Sequence, residues 1–228
     1  KALFKNDQAM TVVVSIILVY TSINICGNLV LYFFRFDVGN EGAYSIFAAV
    51  AFAAQVLVMM VIPLLRKRFS KSCLFISGFI IQIVGFAVIL IMAFAKLYTP
   101  QSWYILCMPG ILIYLGYGML NVIMTIFLSD SVDYGEVMNG TREESVIFSM
   151  QTFTVKLASG VAVFLAGLIV DWIHLDTSAT VQTQDTLDAL RMWMTIPSVI
   201  LLIVGIFVFK RFYKLDDARM EEIKSKLN

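Results

Sequence analysis

Apolar positions run through this chain in long blocks, separated by short polar stretches. Six blocks stand out, and they predict helices over about 10–34, 43–65, 72–95, 103–129, 145–172 and 190–210. A helix rises about 1.5 Å per residue, so each block is long enough to cross the apolar core of a bilayer. The connections between them are polar or broken by Gly and Pro: Asp37–Gly42, Arg66–Lys71, Lys96–Gln101, an acidic loop opening at Asp130, and a polar loop around 174–189. Trp103, Tyr104, Trp172 and Trp193 fall at helix ends, where amphipathic rings sit at membrane surfaces. The pattern predicts an all-α membrane protein: a six-helix transmembrane bundle over 1–214, followed by a charged cytoplasmic tail over 215–228.

Composition agrees with that class. Of the 228 residues 60% are hydrophobic and 14% charged, whereas a soluble domain carries roughly 25% charged residues. The net charge of +1 gives no ground for a nucleic-acid partner. The placement of Lys and Arg says more. With the N-terminus inside, the inner side collects Lys1, Lys5, Arg66, Lys67, Arg68, Lys71, Arg142, Lys210, Arg211, Lys214, Arg219, Lys224 and Lys226, and the outer side holds Arg35, Lys96 and Arg191. That bias predicts an integral membrane protein, in a bacterial cytoplasmic membrane, with both termini cytoplasmic. It also reads the basic run 66–71 as a topology anchor rather than a ligand site. Cys26, Cys73, Cys107 and His174 have no metal-ligand spacing, so no metal site is expected and the cysteines read as packing residues. The chain opens at Lys1 without Met or a cleavage signal and reads as continuing upstream.

The fifth block contains the chain's sharpest anomaly. Lys156 lies near its middle, about 15 residues or roughly 20 Å from the helix start. A basic residue at the bilayer centre costs about 2.5–3.5 kcal/mol on insertion scales. Ser145, Ser149, Thr152, Lys156 and Ser159 are spaced by four, three, four and three, which puts them on one helical stripe. Small hydroxyl residues alone would read as a helix-packing seam. The lysine instead points to a water-accessible cavity, with a buried ion pair as the other reading. Acidic partners within the chain lie at helix ends: Asp130, Asp133 and Glu136 on one side, Asp171 on the other. Asn24 and Asn28, four apart, share a face and are candidates for the same cavity, as is Asn121. Thr141-Arg-Glu-Glu144 fits a capping box that would start the helix. Asp37-Val-Gly-Asn40 after the first block and Asp133-Tyr-Gly-Glu136 after the fourth hint at an inverted three-plus-three repeat.

Three motif pieces occur in order: Asp130-x-x-Asp133-Tyr134-Gly135-Glu136, then Arg142-x-Glu144-Ser145, then Gln151-Thr152-x-x-Val155-Lys156. With the opening Phe4-Lys5-Asn6-Asp7-Gln8 and the run Leu31–Phe34 before Val38-Gly39, they resemble the C-terminal half of the glycoside–pentoside–hexuronide:cation symporters, the melibiose permease family of the major facilitator superfamily. The resemblance covers essentially the whole chain. It implies a secondary active transporter that imports a sugar or glycoside coupled to H⁺ or Na⁺ by alternating access. Gln151, Thr152, Val155, Lys156 and the position of Asn121 would face the sugar. Asn24, Asn28, Ser149 and Ser159 would line the cavity. Asp130, Asp133, Tyr134, Glu136, Arg142 and Glu144 would form an inner gate. The coupling cation would be bound mainly by an N-terminal six-helix half of the same polypeptide, which is missing here, and no other cofactor is implied. The remaining partners would be lipid and the sugar itself. One departure is visible: these permeases carry a tryptophan where this chain has Asn121, so melibiose is not implied. A six-helix channel or receptor bundle, or another non-sugar membrane protein, is the alternative. No mid-membrane catalytic pair supports an enzyme.

Overall fold

The computed structural model describes residues 6–227. Lys1, Lys5 and the Phe4 of the opening motif lie outside the described residues, as does the side chain of Lys226. Six helices are long and apolar enough to cross a membrane. They are α1 Asp7–Tyr32, prolonged by a π-helical turn Phe33–Asp37, α2 Ala43–Leu65, α3 Lys71–Phe94, α4 Cys107–Asn139, preceded by a 3-10 turn Trp103–Leu106, α5 Glu144–Trp172 and α6 Gln184–Phe212. A seventh, α7 Asp217–Leu227, follows. No strand occurs among the described residues.

Three local expectations give way. The acidic stretch from Asp130 is not a loop: α4 runs through it to Asn139. Asp130 and Ser131 are buried, the first by an ion pair with Lys71, the second with its carbonyl accepting from Asn6 Nδ2 at 2.7 Å. Helix α4 stops where Gly140 turns left-handed (φ 69°) and its N–H closes on Glu136, a terminator that favours glycine. The capping box does not form, because the carboxylate of Glu144 accepts from Arg142 Nε at 3.3 Å and Glu143 occupies the cap position without a side-chain bond. Helix α6 begins before 190, because Thr183 Oγ1 accepts from the Thr186 N–H at 3.2 Å and caps it. The charged tail carries a buried apolar face: Leu215, Met220 and Ile223 pack against Tyr134, Val137 and Tyr213.

The six spans pair in a regular way. Helix α1 packs on α5 and α6, α4 packs on α2 and α3, and α1 meets α4 as α3 meets α6. Exchanging α1–α3 for α4–α6 swaps α1–α5 with α2–α4 and α1–α6 with α3–α4, and maps α1–α4 and α3–α6 onto themselves, the signature of an inverted repeat. The repeat also appears in charge. At one end Asp37, closing α1, holds Arg191 on α6 through bonds of 2.8 and 2.6 Å, and Tyr98 donates to it at 2.7 Å. At the other end Asp130 on α4 holds Lys71 at the start of α3. The equivalent of Asp37 is therefore Asp130 and not the Asp133 of the tetrapeptide echo. Gly39 is left-handed (φ 73°) in a loop, whereas Gly135 sits inside a helix against Asn6.

Packing quality differs across the bundle. Where α3 crosses α4, a Cβ on Gly116 would lie 2.5 Å from the Gly78 carbonyl, so the backbones touch. Phe75, Phe127 and Phe209 cluster with ring centroids 4.6–5.2 Å apart, Phe127 and Phe209 stacked and Phe75 edge-on to Phe127. The α1–α6 crossing is closed by Ser22 and Ser198, each donating to the other's carbonyl at 3.1 and 2.9 Å. Helix α5 is held differently. Its buried stripe is Thr154, Ala158, Ala162 and Ala166, small residues that let it lie close on α1. On the faces it leaves open, Gly160 and Gly167 meet nothing within 4 Å, and neither does Gly27 on α1.

Candidate functional site

The open side of α5 carries the polar stripe. Ser145, Ser149, Thr152 and Lys156 are exposed and Ser159 is half-buried, turned away from the alanine seam. Among the described residues no hydrogen bond or ion pair reaches Lys156. Thr152 donates back to the Phe148 carbonyl at 3.3 Å and keeps its oxygen available as an acceptor. Gln151 and Val155 are half-buried beside the stripe, and Gln151 Nε2 reaches across to Thr125 Oγ1 on α4 at 3.4 Å.

Two further stripes face the same groove. On α1, Tyr20, Asn24 and Asn28 are half-buried and four apart. Asn24 and Asn28 each donate to the carbonyl four residues earlier at 2.7 Å, leaving their own carbonyls free. On α4, Tyr117, Asn121 and Thr125 repeat the spacing, and Asn121 Nδ2 donates to the Tyr20 hydroxyl at 2.7 Å. Tyr20 and Tyr117 meet edge to face at 5.6 Å. Further along the α1–α5 groove lies a cavity of about 550 Å³ lined by Asn28, Tyr32, Gly167 and Asp171 among others. The surface is thus a bank of amide carbonyls, hydroxyls and one cation, interleaved with aromatic rings. Such a surface offers hydrogen-bond donors and acceptors in series beside apolar ring faces. Sequence reading missed Tyr20, Tyr117 and Thr125. Their four-residue spacing was available, but tyrosine counts as apolar in a hydropathy pattern.

A family profile described as MFS/sugar transport protein matches residues 1–217. The chain belongs to that family. Among relatives, it is 25% identical over 228 residues to the uncharacterized symporter YjmB of Bacillus subtilis (strain 168), covering 100% of this chain and 48% of the relative. It is 24% identical over 229 residues to the raffinose carrier protein of Pediococcus pentosaceus, covering 100% and 35%. It is 25% identical over 218 residues to the isoprimeverose transporter of Lactiplantibacillus pentosus, covering 95% and 43%. The chain therefore spans half or less of the length of these relatives. The family is one of transporters, and with six apolar helices this member is an integral membrane protein.

The charged residues of this MFS sugar-transport chain divide into two groups at its basic end. Arg142 gathers Asp133 at 3.0 Å, Glu136 at 2.8 Å and Glu144 at 3.3 Å, all at the surface. The hydrogen bonds that it donates to Glu136, then to Asp133 and Glu144, hold its guanidinium above the usual arginine range. Asp130 stands apart, in the buried pair with Lys71, and Tyr134 packs on the tail. The six residues expected to act as one gate are thus three separate contacts. Arg66 and Lys71, from the run read as a topology anchor, both reach Asp217 of α7, at 3.3 and 3.4 Å.

Proposed function

We propose that this chain is the C-terminal six-helix half of a cation-coupled sugar or glycoside symporter working by alternating access. Its sugar would lie against the α1, α4 and α5 stripes, facing an N-terminal half of the same polypeptide. The observation that carries this reading is Lys156: a cation in a membrane span, exposed and without a partner among the described residues, amid hydrogen-bonding groups. A charge there is offset by a ligand, water or an acid from outside these six helices. Gln151, Thr152 and Asn121 would supply donors and acceptors to sugar hydroxyls, and Asn24, Asn28, Ser149 and Ser159 would line the approach. H⁺ or Na⁺ would bind mainly in the other half, close enough to Lys156 to couple its charge to the sugar. The basic end would face the cytoplasm of a bacterial cell, with Arg142, Asp133, Glu136 and Glu144 at the inner mouth of the path.

The test is counterflow of radiolabelled glycosides in vesicles containing the carrier with its upstream half. Counterflow needs binding and alternation of access but no cation gradient. At least one glycoside should exchange, and Lys156→Ala should abolish its gradient-driven uptake. Normal coupled uptake by the variant would remove Lys156 from the site, and no exchange across galactosides, pentosides and glucuronides would sink the sugar reading.

A further inference from the structure

The amides on the groove are held in two different ways. Asn24 and Asn28 are tied to carbonyls of their own helix, so each follows α1 alone. Asn121 is tied across helices, its Nδ2 on the hydroxyl of Tyr20 at 2.7 Å. Tyr20 is in turn fixed by the edge of Tyr117 at 5.6 Å, and Tyr117 by Tyr114 at 6.3 Å. On the other side Thr125 donates to the Asn121 backbone carbonyl at 3.1 Å and receives Gln151 Nε2. Tyr20, Asn121 and Gln151 thus form one level that joins α1, α4 and α5. The Tyr117 hydroxyl also lies in hydrogen-bond reach of the Asn121 amide, while the Asn121 side-chain carbonyl remains an acceptor. Tyr20, at 2.7 Å, is the partner that holds its orientation.

We infer that Tyr20 is a positioning residue for solute recognition: its phenol oxygen orients the Asn121 amide so that the Asn121 carbonyl accepts from one hydroxyl of a neutral pyranoside. This rests on the sugar-transport reading. The Tyr20–Tyr117 pair lies beside that acceptor and offers an apolar ring surface to the C–H face of the same sugar, a role an asparagine at 121 cannot fill itself. The site is therefore specific for a ring that presents a hydroxyl donor at this level. A buried acceptor left unpaired penalises an analogue lacking that hydroxyl.

The experiment is counterflow by the carrier with its upstream half, using the glycoside it exchanges and a set of monodeoxy analogues. Tyr20→Phe should raise the half-saturation concentration about tenfold, as expected for one lost hydrogen bond, while leaving maximal exchange near wild type. It should also erase the wild-type preference for the parent sugar over one particular deoxy analogue. Asn121→Leu should erase the same preference, and the double variant should be no worse than Asn121→Leu alone, because Tyr20 acts through Asn121. Tyr20→Leu, compared at matched amounts in the membrane, must lose the same preference. Retained discrimination in either Tyr20 variant, or additive losses in the double variant, overturns the inference. A wild-type carrier that exchanges no glycoside would instead overturn the sugar reading itself.

Discussion

Lys71 and Lys156 are the same chemical group in opposite surroundings. Lys71, at the mouth of α3, is 5% exposed and paired with Asp130, itself 5% exposed. Lys156, well inside α5, is exposed and pairs with nothing among the described residues. The wall around Lys71 is equally closed, with α3 and α4 in backbone contact and phenylalanines packed together. Around Lys156 the neighbouring Thr152, Phe153 and Leu157 are exposed, and Gly160, one turn on, meets nothing within 4 Å. The contrast separates a charge neutralised inside the bundle from one that no group among the described residues neutralises. The pseudo-symmetry sharpens this. Asp37–Arg191 and Asp130–Lys71 are related by the inverted repeat and fasten α1 to α6 and α4 to α3. Lys156 on α5 has no counterpart on α2, whose mid-span polar residue is Gln55.

The largest effect should come from breaking the closed pair. Asp130→Asn leaves buried Lys71 with only the more exposed Asp217 at 3.4 Å, a loss that approaches the about 3–5 kcal/mol of breaking a buried pair. The melting temperature of the purified carrier in detergent should fall sharply. Asp37→Asn, its counterpart across the repeat, should also lower it but by less, since Arg191, 3% exposed, keeps Asp188 at 2.7 Å. Tyr98 adds to that end: burial first, then the carboxylate of Asp37, pushes its hydroxyl above the ordinary tyrosine range, so it stays a donor. Lys156→Ala should barely move the same melting curve while removing coupled uptake. Equal destabilisation by Asp130→Asn and Lys156→Ala would erase the distinction drawn here.

A smaller effect tests the two surfaces without charge. A Cβ at Gly116 would meet the Gly78 carbonyl at 2.5 Å and the Gln82 backbone nitrogen at 2.6 Å, atoms that cannot rotate away. Gly116→Ala should cost about 1–3 kcal/mol, the usual range for overpacking. At Gly160 nothing lies within 4 Å, so Gly160→Ala should be neutral or slightly stabilising, since alanine is the better helix former by up to about 1 kcal/mol. Thermal unfolding of both variants checks the pair, and a destabilised Gly160→Ala would mean that α5 is already covered.

What the sequence made legible follows the same divide. The six spans follow from apolar blocks alone, because lipid and core select the same residues. Lys156 and its stripe were visible because a cation in an apolar run stands out at any register. The helical nature of 130–139 was hidden. Asp130, Asp133 and Glu136 look like loop residues until Lys71, 59 positions away, neutralises the first of them. Capping failed at Thr141 because a neighbouring arginine took the glutamate that the motif assigns to the backbone. Tyr20 and Tyr117 were missed because their rings read as apolar and only their tips are polar. A local rule fails at Asp130 because a distant lysine neutralises it, and at Glu144 because an arginine two residues away takes its carboxylate.

The smallest prediction concerns the hinge between the closed wall and the tail. Asp217 of α7 touches Arg66 and Lys71, and its side chain is 41% exposed. Burial alone would raise its carboxyl, but Lys71 and Arg66 together outweigh that and hold it below the usual carboxylate range. A carboxylate depressed in the docked state contributes stability that is full above its undocked value, near about 4, and lost as pH falls through the docked one. Docking of α7 should therefore be unchanged from pH 8 to pH 5 and loosen only below about pH 4. Partial exposure keeps the effect small, since solvent screens such pairs. Limited proteolysis of the tail with an acid-active protease, over pH 3 to 6, reads it directly. Cleavage should rise in the wild type as pH drops. Asp217→Asn should be cleaved more at pH 6 and show a flatter pH response, because the titrating group is gone. An identical pH profile in the variant would assign the tail's hold to the Leu215, Met220 and Ile223 packing alone, and the basic turn at Arg66 would then have no part in fastening it.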